Sequence, residues 1–272
     1  MIRHLTALAF AFGTSTAASA QSVQMQLYEM LDLPQVVEIA RLEGLDVAED
    51  MGETLFAGGP STSWDAQVGR IYTLDPMIET VRTNFTENLS DEDAQILLDF
   101  FASEPGQTIV SLELGARRAM LDDEIEEASK NAASEMAAEN GEIYQLVDQF
   151  ISTNDLIDSN VAGALNSSLA FFRGLADGGD PSAMMGEQEM LASVWSQEGE
   201  IRADMTEWIY SFLLMAYQPL EEEDLEAYIA LSETDAGSAL NGAIFAAFEP
   251  LFEQTSYALG RAAAQAITSQ DI

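Results

Sequence analysis

Residues 89–110 read LSDEDAQILLDFFASEPGQTIV, and this stretch decides the fold because a second version, LEEEDLEAYIALSETDAGSALN at residues 220–241, follows 131 residues later. Each version begins with acidic residues, continues as an apolar helix, and ends at a turn that contains Gly106 or Gly237. The repeat predicts two related helical halves. We place the first at residues 21–138, with its motif at 89–110, and the second at residues 139–272, with its motif at 220–241.

The chemistry of the repeated stretch explains why it forms a helix, a turn and a second helix. Ser90 followed by Asp93 approximates a capping box, and the acids in the first turn suit the positive end of the helix dipole. We expect Gly106 and Gly237 to take equivalent left-handed turn positions, since glycine adopts positive φ without a steric penalty. The helices after the two turns should be long, ending near Ala138 and near Ile267, and Pro250 should kink the second of them.

Helical periodicity continues through the rest of the chain, and no convincing run of alternating β-branched residues interrupts it. The sequence therefore predicts an all-α fold, a multi-helix bundle made of two related halves. We expect helices to begin at Asp32 before Pro34, at Asp75 before Pro76, at Asn154 and at Ser182. Loops are predicted at residues 56–63 and 177–182, a break at residues 140–141, and a buried central helix at residues 208–217.

The two motifs resemble the bacterial family called domain of unknown function 2059. Its hallmark is an acidic helix start, an apolar aromatic helix, and a small-polar-acidic-x-Gly turn that opens a second helix, which corresponds here to residues 89–107 and 220–238. The aromatic pair Phe100 and Phe101 of the first copy becomes Leu231 and Ser232 in the second. The resemblance implies an all-helical, exported protein, and it supplies no activity and no site residues.

The N-terminus has the pattern of a secretory signal peptide. Arg3 supplies the positive charge, residues 5–13 form a nine-residue apolar run, and Ala18, Ser19 and Ala20 form the cleavage pattern. A membrane anchor would need about 20 apolar residues, more than twice this run. We expect residues 1–20 to be a signal peptide, and the protein to be periplasmic. The chain has no cysteine, so neither a lipid-modified cysteine nor a disulfide framework is available.

The charge of the chain is strongly negative, with 47 acidic residues against ten lysines and arginines and a formal charge of −37. A polyanion of this size repels nucleic acids and anionic headgroups. Cations, basic proteins and neutral ligands remain as partners, or the acidity serves solubility alone. The 47% of hydrophobic residues indicates a globular protein rather than a disordered one.

The residues exclude most catalytic machinery. His4, inside the predicted signal peptide, is the one histidine, so imidazole and thiolate zinc sites and Ser-His-Asp or Cys-His triads are excluded from the exported protein. Phosphate-binding loops and dinucleotide fingerprints are absent from the sequence, so no nucleotide cofactor is expected. Lys130 is the one lysine, and we expect it to form an ion pair with Glu126 or Glu127 rather than to act as a base.

Carboxylates are the remaining candidates for chemistry, because glycoside hydrolysis needs two acids and calcium takes oxygen ligands. Glu207, beside Trp208, is the acid whose sequence context is most apolar, yet a helix-surface role is the commoner one. The acidic run at residues 122–127 and the turn at residues 177–180 are weak calcium candidates, each with an ordinary structural explanation. We therefore assign no catalytic, cofactor-binding or metal-binding residue.

These observations favour an exported, non-catalytic helical binding or interaction protein of the bacterial envelope, with a protein or small-molecule partner. Two alternatives stay open. The first is a carboxylate-based envelope hydrolase, which would need a buried pair of acids in an open cleft. The second is an acidic cation-binding protein without a specific ligand. We expect no membrane span and no nucleic-acid partner.

Overall fold

A computed structural model describes residues 21–56, 59–179 and 186–270, so the predicted signal peptide and the predicted helix start at Ser182 lie outside the described residues. The described backbone is helical throughout and contains no strand, which confirms the all-α class. The helices are α1 (Val23–Met30), α2 (Leu33–Leu55), α3 (Thr62–Ile71), α4 (Leu74–Glu87), α5 (Asp91–Phe101), α6 (Glu104–Ala119), α7 (Asp123–Glu139), α8 (Glu142–Thr153), α9 (Leu156–Asp177), α10 (Glu187–Trp195), α11 (Glu198–Tyr217), α12 (Glu222–Ser232) and α13 (Asp235–Gln270).

The repeated stretch forms the same helix-turn-helix twice, as α5–α6 and as α12–α13. In the first copy the Ser103 hydroxyl donates to Phe100 O at 2.6 Å and accepts from Gly106 N at 3.3 Å. In the second copy Thr234 makes the equivalent bonds to Leu231 O and from Gly237 N, at 2.6 and 3.1 Å. These hydroxyls satisfy backbone groups at the turn, which is why a Ser or Thr is needed there.

The left-handed conformation expected for Gly106 and Gly237 is wrong. Among the described glycines, Gly59 and Gly179 have positive φ, whereas Gly106 and Gly237 lie in the first turns of α6 and α13. The reason for glycine is close packing instead. A Cβ on Gly106 would lie 2.4 Å from Phe100 O, and one on Gly237 would lie 2.1 Å from Leu231 O. Each glycine lets a helix start directly against the end of the helix before it.

Several helix ends also differ from the sequence predictions. The helix after Gly106 ends at Ala119, not near Ala138, because the Asp122 carboxylate accepts from Glu124 N at 3.0 Å and caps a new helix, α7. Helix α4 begins at Leu74, so Asp75 lies in its first turn rather than capping it, and Asp155 precedes α9 where Asn154 was expected. The predicted long helix after Gly237 is confirmed as α13, and Pro250 lies inside it.

A second pair of equivalent turns extends the repeat beyond the motif. Asp32 before α2 and Asp155 before α9 both adopt the left-handed conformation, with φ of 47° and 50°. These two turns are 123 residues apart, whereas the two motifs are 131 residues apart. A comparison of the chain with itself at one fixed offset therefore cannot align both the turns and the motifs. With these turns aligned, α1–α6 correspond in order to α8–α13, and α7 has no counterpart.

The contacts between helices follow this correspondence and show that the last helix of each half packs against both halves. The contact of α4 with α13 matches the contact of α11 with α6, so each fourth helix packs against the sixth helix of the other half. The contacts within each half also match, as α1–α5 with α8–α12, α2–α4 with α9–α11, and α2–α6 with α9–α13. The halves are therefore interlocked.

Two main apolar cores result from these contacts between the halves. The first combines residues of α1 to α5 with residues of α13, such as Leu240, Ala247 and Leu251. The second combines Ile109 of α6 with α7, α8, α11 and α12. The predicted buried helix at residues 208–217 is the end of α11, and Leu214 and Tyr217 are almost fully buried in this second core.

Candidate functional site

The carboxyl of Glu113, on the α6 helix that enters the second core, has a pKa far from its usual value. The Tyr217 hydroxyl donates to Glu113 Oε1 at 2.5 Å. Burial raises the pKa of Glu113 to about 7, although the bond from Tyr217 acts in the opposite direction. Burial and the negative charge of Glu113 in turn hold the pKa of Tyr217 well above its usual value.

Aromatic rings surround this carboxyl–phenol pair. The Tyr228 ring lies 4.9 Å from the ring of Phe150 and is stacked on Phe100 at 5.8 Å, and Phe150 meets Tyr217 edge to face at 5.7 Å. Tyr228 belongs to α12, and burial raises its pKa well above the usual value. The pair is thus a polar link inside a packed aromatic cluster, contributed by helices of both halves.

A second polar link lies one turn further along α6. The Arg117 guanidinium donates from Nε and Nη2 to the two carboxylate oxygens of Glu43, both at 2.7 Å. Its Cζ also lies 4.6 Å from the ring centroid of Trp208. Arg117 thereby connects α2, α6 and α11 through a bidentate ion pair and a cation–π contact.

An open groove of about 710 Å³ lies where α1, α5 and α6 meet. Its apolar lining comes from Met30, Leu98, Val110 and Leu114. The left-handed turn at Asp32 ends α1 beside this groove and directs the chain into α2. The groove has the volume of a typical ligand site.

Negative charge dominates the polar edge of this groove. Glu29 and Asp32 are among its lining residues, and no lysine or arginine is. The amide nitrogens of Gln26 and Gln107 are used by backbone carbonyls, of Gln21 at 3.0 Å and of Ala102 at 2.9 Å. The groove thus combines an apolar floor with two carboxylates, which accept hydrogen bonds without donating them.

The structure places the residues considered from the sequence in ordinary surroundings. Lys130 Nζ pairs with Glu126 Oε1 at 2.7 Å, as expected. Glu207 is exposed on α11. The run at residues 122–127 starts α7, and Asp177 accepts from the Tyr257 hydroxyl at 2.8 Å, while Asp180 lies outside the described residues. Within the described part of the chain, no three acidic or histidine side chains are arranged to hold a metal ion.

Sequence reasoning overlooked Glu113, although a signal was present. The sequence prediction took Glu207 as the acid in the most apolar context, whereas Glu113 lies between Leu112 and Leu114, is half-buried, and has its pKa raised by burial. The α1–α5–α6 groove had no sequence signal, because its walls come from helices distant in the chain. Neither Glu113 nor Glu207 is among the residues that line this groove.

Fold and site together define an all-α protein of two interlocked helical halves with an acidic, open groove. Residues 75–135 match the model of a family described as "Uncharacterized protein conserved in bacteria (DUF2059)". This match confirms the resemblance seen in the first motif and spans less than a quarter of the chain, while the second copy of the hallmark stays a prediction. No curated protein and no solved structure matches the chain. Among the described residues, no helix is both long and apolar enough to cross a membrane.

Proposed function

We propose that this protein is an exported, non-catalytic binding protein of the bacterial envelope, and that the α1–α5–α6 groove holds a cationic amphipathic segment of a partner protein. The observation that carries the proposal is the combination of an apolar floor with the carboxylates of Glu29 and Asp32 in one groove. An amphipathic helix places apolar side chains on such a floor while its lysines or arginines meet the acidic edge.

The charge of the whole molecule supports a basic partner. Removal of Arg3 with the predicted signal peptide leaves nine bases against 47 acids, a formal charge of −38. A field of this sign attracts cationic segments from a distance and speeds their association at low ionic strength. The signal-peptide pattern at residues 1–20 supports the periplasm as the place where the partner is met.

A non-catalytic role is supported by where the titratable residues lie. The raised pKa of Glu113 belongs to a group packed among aromatic rings, and its hydrogen-bond partner is a tyrosine rather than a second acid. A glycoside hydrolase needs two carboxyl groups that flank a substrate. The acids that line the groove are Glu29, which is exposed, and Asp32, which is half-buried, and Glu113 is not among its lining residues. Neither is a buried acid of the kind that serves as a proton donor.

Titration with a short lysine- and leucine-rich amphipathic peptide tests this function. We expect saturable binding that weakens as salt is raised from about 20 to about 200 mM, because added ions screen the attraction. The double substitution Glu29→Gln with Asp32→Asn should weaken binding by about tenfold, at up to ~1 kcal/mol for each exposed charge pair. Asparagine suits position 32, since it tolerates positive φ.

Two controls separate groove binding from attraction to a polyanion. Glu53→Gln removes an exposed acid of α2 outside the groove, and binding should be unchanged. A peptide of equal charge with serine in place of leucine should bind much more weakly, because it cannot cover the apolar floor. If the two peptides bound equally well, the groove would not be the binding site, and the result would favour the cation-binding alternative.

A further inference from the structure

A second groove, of about 410 Å³, lies between α3 and α13 and differs in charge from the rest of the molecule. Arg70 of α3 and Arg261 of α13 both line it, together with the phenol of Tyr257. Of the residues that the structure describes, no aspartate or glutamate lines this groove. Two arginines without an acid are unexpected in a chain that carries 47 acids and ten lysines and arginines.

These two arginines are also exceptional in their pairing. In the described part of the chain, six other bases form ion pairs, namely Arg41 with Glu38, Arg82 with Glu79, Arg117 with Glu43, Lys130 with Glu126, Arg173 with Glu187, and Arg202 with Asp158 and Glu198. Arg118 donates to the Gln35 side chain. Arg70 and Arg261 form no ion pair with any described carboxylate, and both are exposed.

Tyr257 joins the groove to the carboxylate of Asp177. Its hydroxyl donates to Asp177 Oδ2 at 2.8 Å, and this bond is the main cause of a raised Tyr257 pKa. The positive charge of Arg261, a lining residue of the same groove, acts on the pKa of this phenol in the opposite direction. Asp177 thus bonds to Tyr257, and among the described residues neither guanidinium group has a carboxylate partner for its hydrogen-bond donors.

The position of Arg70 has a partial structural explanation that Arg261 lacks. Arg70 is in the last turn of α3, where a cation complements the helix dipole. Arg261 lies within α13, well before its end at Gln270, so no helix terminus accounts for it. Local helix electrostatics thus explains one arginine, and it does not explain why both face one acid-free groove.

We infer that the α3–α13 groove binds a small organic oxyanion, a carboxylate or a phosphate monoester with a compact apolar body. The guanidinium forks of Arg70 and Arg261 match the geometry of carboxylate and phosphate oxygens. Ile71, Ala258 and Ala262 line the same groove and provide apolar surface for the rest of the ligand. This site shares no lining residue with the α1–α5–α6 groove and is independent of the proposed peptide binding.

Calorimetric titration of the protein with phenyl phosphate, benzoate and neutral benzamide tests the inference. We expect saturable binding of at least one of the two anions with a Kd near ~1 mM, as suits a small ligand, and none of benzamide. The anion that binds more tightly identifies the headgroup. Arg70→Gln and Arg261→Gln should each weaken its binding by about tenfold, because each removes a charge-assisted hydrogen bond.

Arg82→Gln is the matched control, since it removes one exposed positive charge from α4, outside the groove. Binding of the anions should be unchanged in this variant. Absence of saturable binding by both anions up to about 20 mM, equal binding of benzamide, or an equal loss in Arg82→Gln would each overturn the assignment.

Discussion

At the scale of single residues, Glu113 shows how the fold changes the chemistry of an ordinary side chain. Its pKa is raised from 4.5 to about 7, chiefly by burial. A raised pKa means that the folded protein binds the proton more tightly than the unfolded chain does. The stabilising effect of this proton is fully present below about pH 4.5, and it is lost as the pH rises through 7.

We expect Glu113→Gln to stabilise the protein at pH 8 and to change its stability little at pH 5. The amide is neutral at both values and can still accept the hydrogen bond from Tyr217. The free energy of unfolding at pH 8 should rise by about 2 kcal/mol. A tenfold change in an ionisation equilibrium is worth ~1.4 kcal/mol, and the raised pKa amounts to more than one such step. Partial exposure of the carboxyl to solvent lowers the total. Chemical denaturation at the two pH values measures the difference.

Glu207→Gln provides the comparison for that experiment, because Glu207 is exposed on α11. It should show the same small effect at pH 5 and pH 8. If Glu113→Gln gave equal changes at both values, the carboxyl would not be the group that titrates.

At the scale of secondary structure, the two repeated turns depend on glycine for contact rather than for backbone freedom. Helices α5 and α6 meet so closely that a Cβ on Gly106 would overlap backbone atoms of Phe100 and Phe101, at 2.4 and 2.5 Å. Backbone atoms cannot move aside as a flexible side chain can. The same constraint at Gly237 explains why the second copy keeps its glycine although its aromatic pair has changed.

Gly106→Ala should destabilise the protein by about 1 to 3 kcal/mol, because the added methyl group overpacks the turn. Gly115→Ala is the control on the same helix, since a Cβ there meets nothing within 4 Å. Alanine at position 115 should stabilise by ~0.5 to 1 kcal/mol through helix propensity. Thermal unfolding of the two variants checks both signs, and a stabilised Gly106→Ala would contradict the packing explanation.

At the scale of the whole molecule, the packing of α6 and α13 against the opposite half decides how the two halves depend on each other. Leu240, Ala247 and Leu251 of α13 complete the core formed by α1 to α5. Ile109 and Ala116 of α6 are buried in the core of α8, α11 and α12. Each half therefore lacks part of its own core when the other half is removed.

The full chain should unfold in one cooperative transition, and a fragment of residues 21–140 should not fold alone. That fragment would expose the surface that α13 covers and the buried face of α6, which is a large apolar patch. Calorimetry of the chain and circular dichroism of the fragment measure these outcomes. Two separate transitions, or a cooperatively folded fragment, would show that the halves are autonomous and that the boundary near residue 138 divides two domains.

The sequence by itself determined the helices and the repeated turns, because these depend on residues within a few positions of one another. Ser90 and Ser103 each begin a helix, because their hydroxyls accept a hydrogen bond from the backbone N–H three residues later. The predicted break at residues 140–141 corresponds to the left-handed conformation of Asn140, which ends α7. Local signals also set helix ends imprecisely, as at Asp75, where neighbouring residues compete for the cap.

Only the tertiary structure decided which core each helix joins, which acid has its pKa raised by burial, and where the grooves lie. The Tyr217–Glu113 bond joins residues 104 positions apart, and the Arg117–Glu43 pair joins residues 74 apart. Contacts at such separations depend on the whole path of the chain, so neither periodicity nor capping patterns predict them. Gly106 shows the same division. Its neighbours in the sequence located the turn, whereas the close packing of α5 against α6, which the sequence does not reveal, explains why the residue there is glycine.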